Sequence, residues 1–272
     1  MPTPLEILLD PVSLAILAMF ALLIAWETLA PARPLSKISG WKTRALTSFV
    51  VYFYLSTYLP LWWDPLLAPY QFFDLSGLGI AGGAVVALVL YEGLLYAWHR
   101  AMHSNKFLWR VFHQMHHSAE RMDSYGAFYF SPADMVGFTM LSSIALTLLV
   151  GVDPAAITVF LLVTVFLAVF QHANVSTPRW LGYFIQRPES HGVHHARKVH
   201  FKNFADFPVF DILFGSFENP EGYEHEAGFY DGASARVKDM LLCRDVSVLP
   251  MGREPETAKP SSRAAVEAGK PV

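Results

Sequence analysis

The sequence predicts an all-α fold: an integral membrane helical bundle of four to five spans, with a cytoplasmic helical cap carrying a histidine-ligated dimetal site. Three features predict it, namely an apolar excess, five apolar stretches near spanning length, and histidines gathered at helical spacings. Of the 272 residues, 53% are apolar and 16% charged, against about 45–50% and 25% in an ordinary soluble domain. A net charge of −3 and a pI near 6.4 leave no basic surface for nucleic acid. The single cysteine, Cys243, excludes an internal disulfide, a Cys-rich zinc site and an iron–sulfur cluster. Any metal must therefore draw on nitrogen or oxygen.

The five stretches are Val12–Ala30, Ala45–Trp63, Leu75–Trp98, Met135–Val152 and Ala155–Gln171, each near the ~20 residues a spanning helix needs. The Gly151-Val-Asp-Pro154 turn predicts that the last two form an antiparallel hairpin. If all five cross, residues 1–11, 64–74 and 153–154 share one side without a single Lys or Arg, and all 20 basic residues fall on the other. Such asymmetry marks the basic side as cytoplasmic. Glu6 and Asp10, with no basic residue before them, speak against a cleaved signal peptide. Residues 1–75 are thus expected to be N-terminal transmembrane helices, 76–220 the histidine-bearing domain and 221–252 a C-terminal cytoplasmic segment. Residues 253–272, rich in Pro, Ala, Ser and charge, are expected to be a disordered tail.

Nine of the eleven histidines fall in three clusters and one isolated position. His99-Arg-Ala-Met-His103, at the inner end of the third stretch, sets two imidazoles on one helical face. His113-Gln-Met-His116-His117 and His191-Gly-Val-His194-His195 repeat an i, i+3, i+4 spacing, which holds three side chains within about 100° of arc. His172 stands at the inner end of the fifth stretch, so all four groups meet on one side of the membrane. A His-x-x-His-His arises by chance roughly 0.02 times in such a chain, and two copies are a specific signal. Nine ligands exceed the three or four that zinc takes; two metals with four or five nitrogens each would use them. Imidazole suits iron, zinc, copper and nickel alike.

Glu92, seven residues before His99 on the same helical face, is expected to orient a ligand imidazole through its second nitrogen. Asn203 and Asp206 are weaker candidates for the same task. His200 and His225 lie outside the spacing and read as solvated surface residues. Tyr125, Phe128, Tyr129 and Phe130 follow the second cluster, where they could line a substrate path or simply pack.

The boxes Trp98-His-Arg-Ala-Met-His103, Phe112-His-Gln-Met-His-His-Ser118 and His191-Gly-Val-His-His195, with Phe210-Asp-Ile-Leu-Phe-Gly-Ser-Phe217, resemble those of the fatty acid hydroxylase superfamily over about residues 88–218. That superfamily includes sterol desaturases, sterol methyl oxidases and sphingolipid hydroxylases. The resemblance implies that residues 76–220 are a catalytic domain, with two iron ions (Fe2+/Fe3+) held by His99, His103, His113, His116, His117, His172, His191, His194 and His195. It further implies dioxygen as co-substrate, and electrons from a separate partner of ferredoxin or cytochrome type with its reductase. Where some relatives carry a tenth histidine, this chain has Asn174 and Ser176. The expected reaction is hydroxylation of a lipid C–H bond in a bacterial inner membrane, on a fatty acyl, sphingolipid or sterol-like substrate. Desaturation at the same centre and a zinc-dependent membrane hydrolase remain open. A transporter fits less well, because such sites lie near the bilayer midplane. The absence of His-Glu-x-x-His speaks against a zincin-type protease.

Overall fold

Four helices begin with the same local device, a capping side chain followed by proline at the first helical position. Thr3 caps α1 (Pro4–Leu9) in a reciprocal box with Glu6, and Asp10 accepts from Val12 N–H at 2.8 Å to start α2 (Pro11–Leu29). After α3 (Trp41–Leu67), α4 (Gly79–Ser104), a short turn α5 (Lys106–Leu108) and α6 (Gln114–His117), Ser131 starts α7 (Pro132–Ser143). Asp153 then accepts from Ala155 N–H at 2.7 Å and starts α8 (Pro154–Phe170). This computed structural model describes residues 1–249; the expected tail at 253–272 lies outside them.

Among the described residues, four helical segments are long and apolar enough to cross a membrane: Pro11–Leu29, Trp41–Tyr70, Ser76–Ser104 and Pro132–Leu149. The last reaches that length because α7 continues into a π-helical turn, Ile144–Leu149. The fifth expected span, α8, has 17 residues, a little short of the usual ~20. Outward faces carry exposed Leu22, Val85 and Val89, which suits hydrocarbon better than water. Small residues allow α4 to meet α8 closely: a Cβ on Gly83 would lie 3.0 Å from that of Ala156, the small-residue contact typical of membrane helix pairs.

One expectation needs correction. The turn after α7 is tight, yet α7 packs chiefly on α3, whereas α8 packs on α4 and α2; the hairpin arms splay, leaving space between them. The fold is all-α apart from a minimal parallel pairing of β1 (Phe73–Asp74) with β2 (Val150–Gly151), which ties the α3–α4 connection to the α7–α8 turn. The bundle core is aromatic, with Phe20, Phe49, Phe128, Phe130, Phe138 and Phe160 in one cluster and the Phe20 and Phe49 rings stacked at 4.5 Å.

The cap follows α8, with α9 (Pro188–His194), α10 (Val209–Phe214) and α11 (Val237–Leu241). Its last strand of chain returns to the bundle foot. Met240 and Val246 pack with Trp41, Met115 and Tyr129, Val246 N–H donates to Gln114 Oε1 at 3.1 Å, and Tyr129 Oη donates to the Ser234 carbonyl at 2.6 Å. Tyr125 and Tyr129 are therefore packing residues.

Candidate metal centre

One end of the helical bundle brings the histidine clusters together. His99 and His103 lie in the last turns of α4 because that helix runs six residues past the expected boundary at Trp98. A π-helical turn, Trp109–His113, leads into α6; His172 follows the end of α8, and His191 and His194 lie on α9 with His195 as its C-cap. All nine are buried, in two groups. His99, His103, His113, His117 and His194 bring one nitrogen each within 4.8 Å of one another, as do His116, His172, His191 and His195. Each His-x-x-His-His box is split: its i and i+4 members go to one group and its i+3 member to the other. The ~100° between consecutive positions on a helix separates the groups here.

Hydrogen bonds set the tautomers. Nδ1–H of His99 donates to the Phe204 carbonyl at 2.7 Å, that of His172 to Ala168 at 2.7 Å, that of His194 to Lys202 at 2.7 Å, and that of His113 to Asp134 Oδ2 at 2.8 Å. A neutral imidazole has one N–H, so Nε2 of each carries a lone pair. Yet His99 Nε2 and His113 Nε2 are 2.9 Å apart, and His172 Nε2 lies 3.1 Å from those of both His116 and His191. For His99 and His113, whose Nδ1–H groups are both engaged, two lone pairs face each other, which repel unless a cation sits between them. Ligands about 2.1 Å from a metal and at right angles to each other stand about 3 Å apart, so the residues fit a pair of metal ions.

Burial pushes the imidazoles of His116, His191 and His195 well below their ordinary 6.5 and that of His172 down to about 4. They are neutral donors at pH 7. In the metal-free chain this predicts acid sensitivity. Below about pH 6.5 an unfolded histidine takes up a proton that the folded one refuses, so stability is greatest above 6.5 and falls as pH drops toward 4. Melting of the apoprotein in detergent, followed from pH 8 to 4.5, is expected to show a falling midpoint; a flat profile would contradict the burial.

The fatty acid hydroxylase family model matches residues 84–216, the segment that supplies all nine histidines. Residues 84–216 are a fatty acid hydroxylase domain. The chain is similar to sphinganine C4-monooxygenase 1 of Arabidopsis thaliana, 27% identical over 146 residues that cover 52% of this chain and 56% of that protein. It is also similar to ornithine lipid hydroxylase OlsE of Rhizobium tropici, 32% identical over 58% of this chain and 48% of that one. Cholesterol 25-hydroxylase of Rattus norvegicus is 27% identical over 42% and 38% respectively. The chain spans about half the length of the curated relatives it matches first. No solved structure matches it.

Around the histidines of the hydroxylase domain lies a second layer, part of it invisible in the sequence. Asp134, in the first turn of α7, is wholly buried and bonds His113; the expected span boundary at Met135 hid it. Glu92 touches no imidazole. Its Oε2 accepts from the N–H groups of Asp206 and Phe207 at 2.9 and 3.1 Å, while Asp211 accepts from those of Phe204 and Ala205 at 2.8 and 2.9 Å. The two carboxylates clamp the loop whose Phe204 carbonyl orients His99, so Glu92 acts through backbone. A Glu92→Gln amide oxygen can accept both donors, and iron content is expected to stay within a few-fold of wild type. Glu92→Leu orphans two buried N–H groups at about 1–3 kcal/mol each and is expected to loosen iron, measured by chelator titration.

Asp206 accepts from Gln171 Nε2 at 2.8 Å, and burial pushes its carboxyl up to about 6. Asn203, at φ 56°, donates to the Ser190 and Glu218 carbonyls, both at 2.8 Å, and so ties α9 to the segment after α10. Glu27, overlooked although it sits within the first span, accepts from Ser124 and Asn174 N–H groups at 2.8 and 3.1 Å. Asn174 itself donates to the Arg33 carbonyl. His200 is not a solvated surface residue: it is half-buried, its ring 5.1 Å from His117 and 5.6 Å from Trp109. His225 is exposed.

A cavity of about 730 Å³ opens from the histidines into the space between the splayed α7 and α8. His99, His113, His116, His172 and His191 line part of it, together with Phe128, Phe130 and Phe138. Its size is that of a small-molecule or lipid site.

Proposed function

We propose that this chain is a membrane-bound di-iron oxygenase that hydroxylates a C–H bond of a lipid, using dioxygen and electrons from a separate ferredoxin- or cytochrome-type donor. The observation that carries the proposal is the gathering of two groups of buried imidazoles, five of whose members line one largely apolar cavity. Two bound irons would supply the activation of dioxygen and the removal of hydrogen from an unactivated carbon. The five- and four-histidine groups would hold them. Neutral ligands add no negative charge to that part of the cavity, and the surrounding phenylalanines exclude water and guide an alkyl chain. Asp206, held by Gln171 Nε2 at 2.8 Å, lies on the same cavity wall. Charge asymmetry supports a cytoplasmic position for the histidine side, within reach of a soluble donor, and a bacterial inner membrane is the proposed host.

Mass spectrometry of lipids from host cells expressing the chain, with oxygen and a donor system, tests this. A lipid one oxygen heavier, absent without oxygen, is expected. A lipid two hydrogens lighter would make the reaction a desaturation, and an oxygen-independent product with zinc in the purified chain would make it hydrolysis.

A further inference from the structure

We infer that His200 is the entry ligand of the centre: it takes a divalent cation from solvent and hands it to the five-histidine group, without belonging to that group once it is filled. This deepens the proposed function and takes from it only that the buried imidazoles hold metal ions. His200 belongs to neither group, yet its ring lies 5.1 Å from that of His117 and 6.4 Å from that of His103. It is half-buried, whereas His117 and His194 are wholly buried and His103, at 9% exposure, is the least buried of the five. The group therefore meets solvent most closely past His103 and His200.

The cavity is a poor road for an ion. Of the five, His99 and His113 line it while His103, His117 and His194 do not, and a cation shedding water along its largely apolar wall gains no donor in exchange. At His200 an ion meets an imidazole, a ligand such metals favour. Nδ1 of that ring is shielded from solvent and has no hydrogen-bond partner among the described residues. Trp109 and Phe229 flank the ring at 5.6 and 5.8 Å, so aromatic faces stand beside it. The backbone holds His200 there against its own preference. Lys198 and His200 take left-handed φ angles of 69° and 44°, which side chains rarely adopt and which persist only where the surroundings enforce them, often at functional positions. Here the loop is tied at both ends: Ala196 bridges to Ala227, and the Lys202 carbonyl accepts from His194 Nδ1 at 2.7 Å.

The test uses the full purified chain in nanodiscs, stripped by a chelator and refilled with Co2+. Trp109, 5.0 Å from His103 and 5.2 Å from His117, reports filling by fluorescence quenching, and mass spectrometry counts bound cobalt. A group that only relays the ion lowers the barrier in both directions and leaves the equilibrium alone. His200→Asn, which tolerates the left-handed backbone, is therefore expected to slow Co2+ uptake and its release to chelator by the same factor, about tenfold, with affinity and cobalt content unchanged. His200→Asp has nearly the same shape and restores a metal donor, so its rates are expected to return toward wild type. Wild-type rates in His200→Asn, or equal slowing in both variants, would overturn the inference. Faster release with weaker binding would make His200 a resident ligand and overturn it too. A wild-type chain that takes up no cobalt would overturn the metal centre itself, and this inference with it.

Discussion

Replacing His194 by Ala is expected to lower iron from two per chain to one or fewer and to abolish lipid oxidation, with the chain still inserted in the membrane. His194 is wholly buried, and its ring lies 4.5, 4.8 and 4.6 Å from those of His99, His103 and His117. It is the only member of the third box to reach the five-histidine group. Alanine removes that donor and leaves the Lys202 carbonyl, which the imidazole now satisfies at 2.7 Å, without its partner. The loss of activity should exceed the 10–100-fold that outer-layer substitutions cost. His225→Ala, at an exposed site, is the control and should change nothing. Metal counting by mass spectrometry, with membrane fractionation, checks both; full iron and activity in His194→Ala would refute the site.

Asp134→Asn is expected to weaken iron binding by about 10–100-fold, the usual effect of removing a carboxylate behind a metal-bound histidine. Asp134 Oδ2 takes the His113 Nδ1 proton at 2.8 Å, which fixes the ring's tautomer and makes its other nitrogen a better donor. Asparagine keeps the shape and retains an acceptor, but loses the charge. Since Ser131 caps the Asp134 N–H at 3.1 Å, the helix start is unaffected and melting of the apoprotein should hardly move. The chelator concentration that strips half the iron is the readout; no change would remove Asp134 from the centre.

The helices and the histidine gathering were legible because both rest on local periodicity. Apolar runs, Asp-Pro and Ser-Pro starts, and i, i+4 spacing act within a few residues, and the structure converges all nine expected histidines. What was hidden depends on distance along the chain or on exact angles. The bond of Glu92 runs to backbone more than a hundred residues away, Asp134 lay one residue beyond an assumed boundary, and Glu27 looked like an ordinary helix-end acid. The splitting of each box between two groups follows from the angle between i+3 and i+4, which the sequence shows only as a shared face. His200 escaped because its approach to His117 depends on a left-handed backbone at φ 44°, outside any helical repeat. The splay of α7 from α8, and with it the cavity, comes from the neighbours each helix selects.

If both groups take metal, as proposed, the division of each box between them would tie the two ions into one loading event. A first ion held by His113, His117 and His194 fixes the backbone that also bears His116, His191 and His195, so three of the second group's four donors arrive already ordered. Only His172 then has to be brought in. The ordering entropy would then be met once, and a second ion is expected to bind more tightly than the first. Chains carrying a single iron should accordingly be scarce during filling, with an all-or-none distribution of empty and doubly occupied molecules.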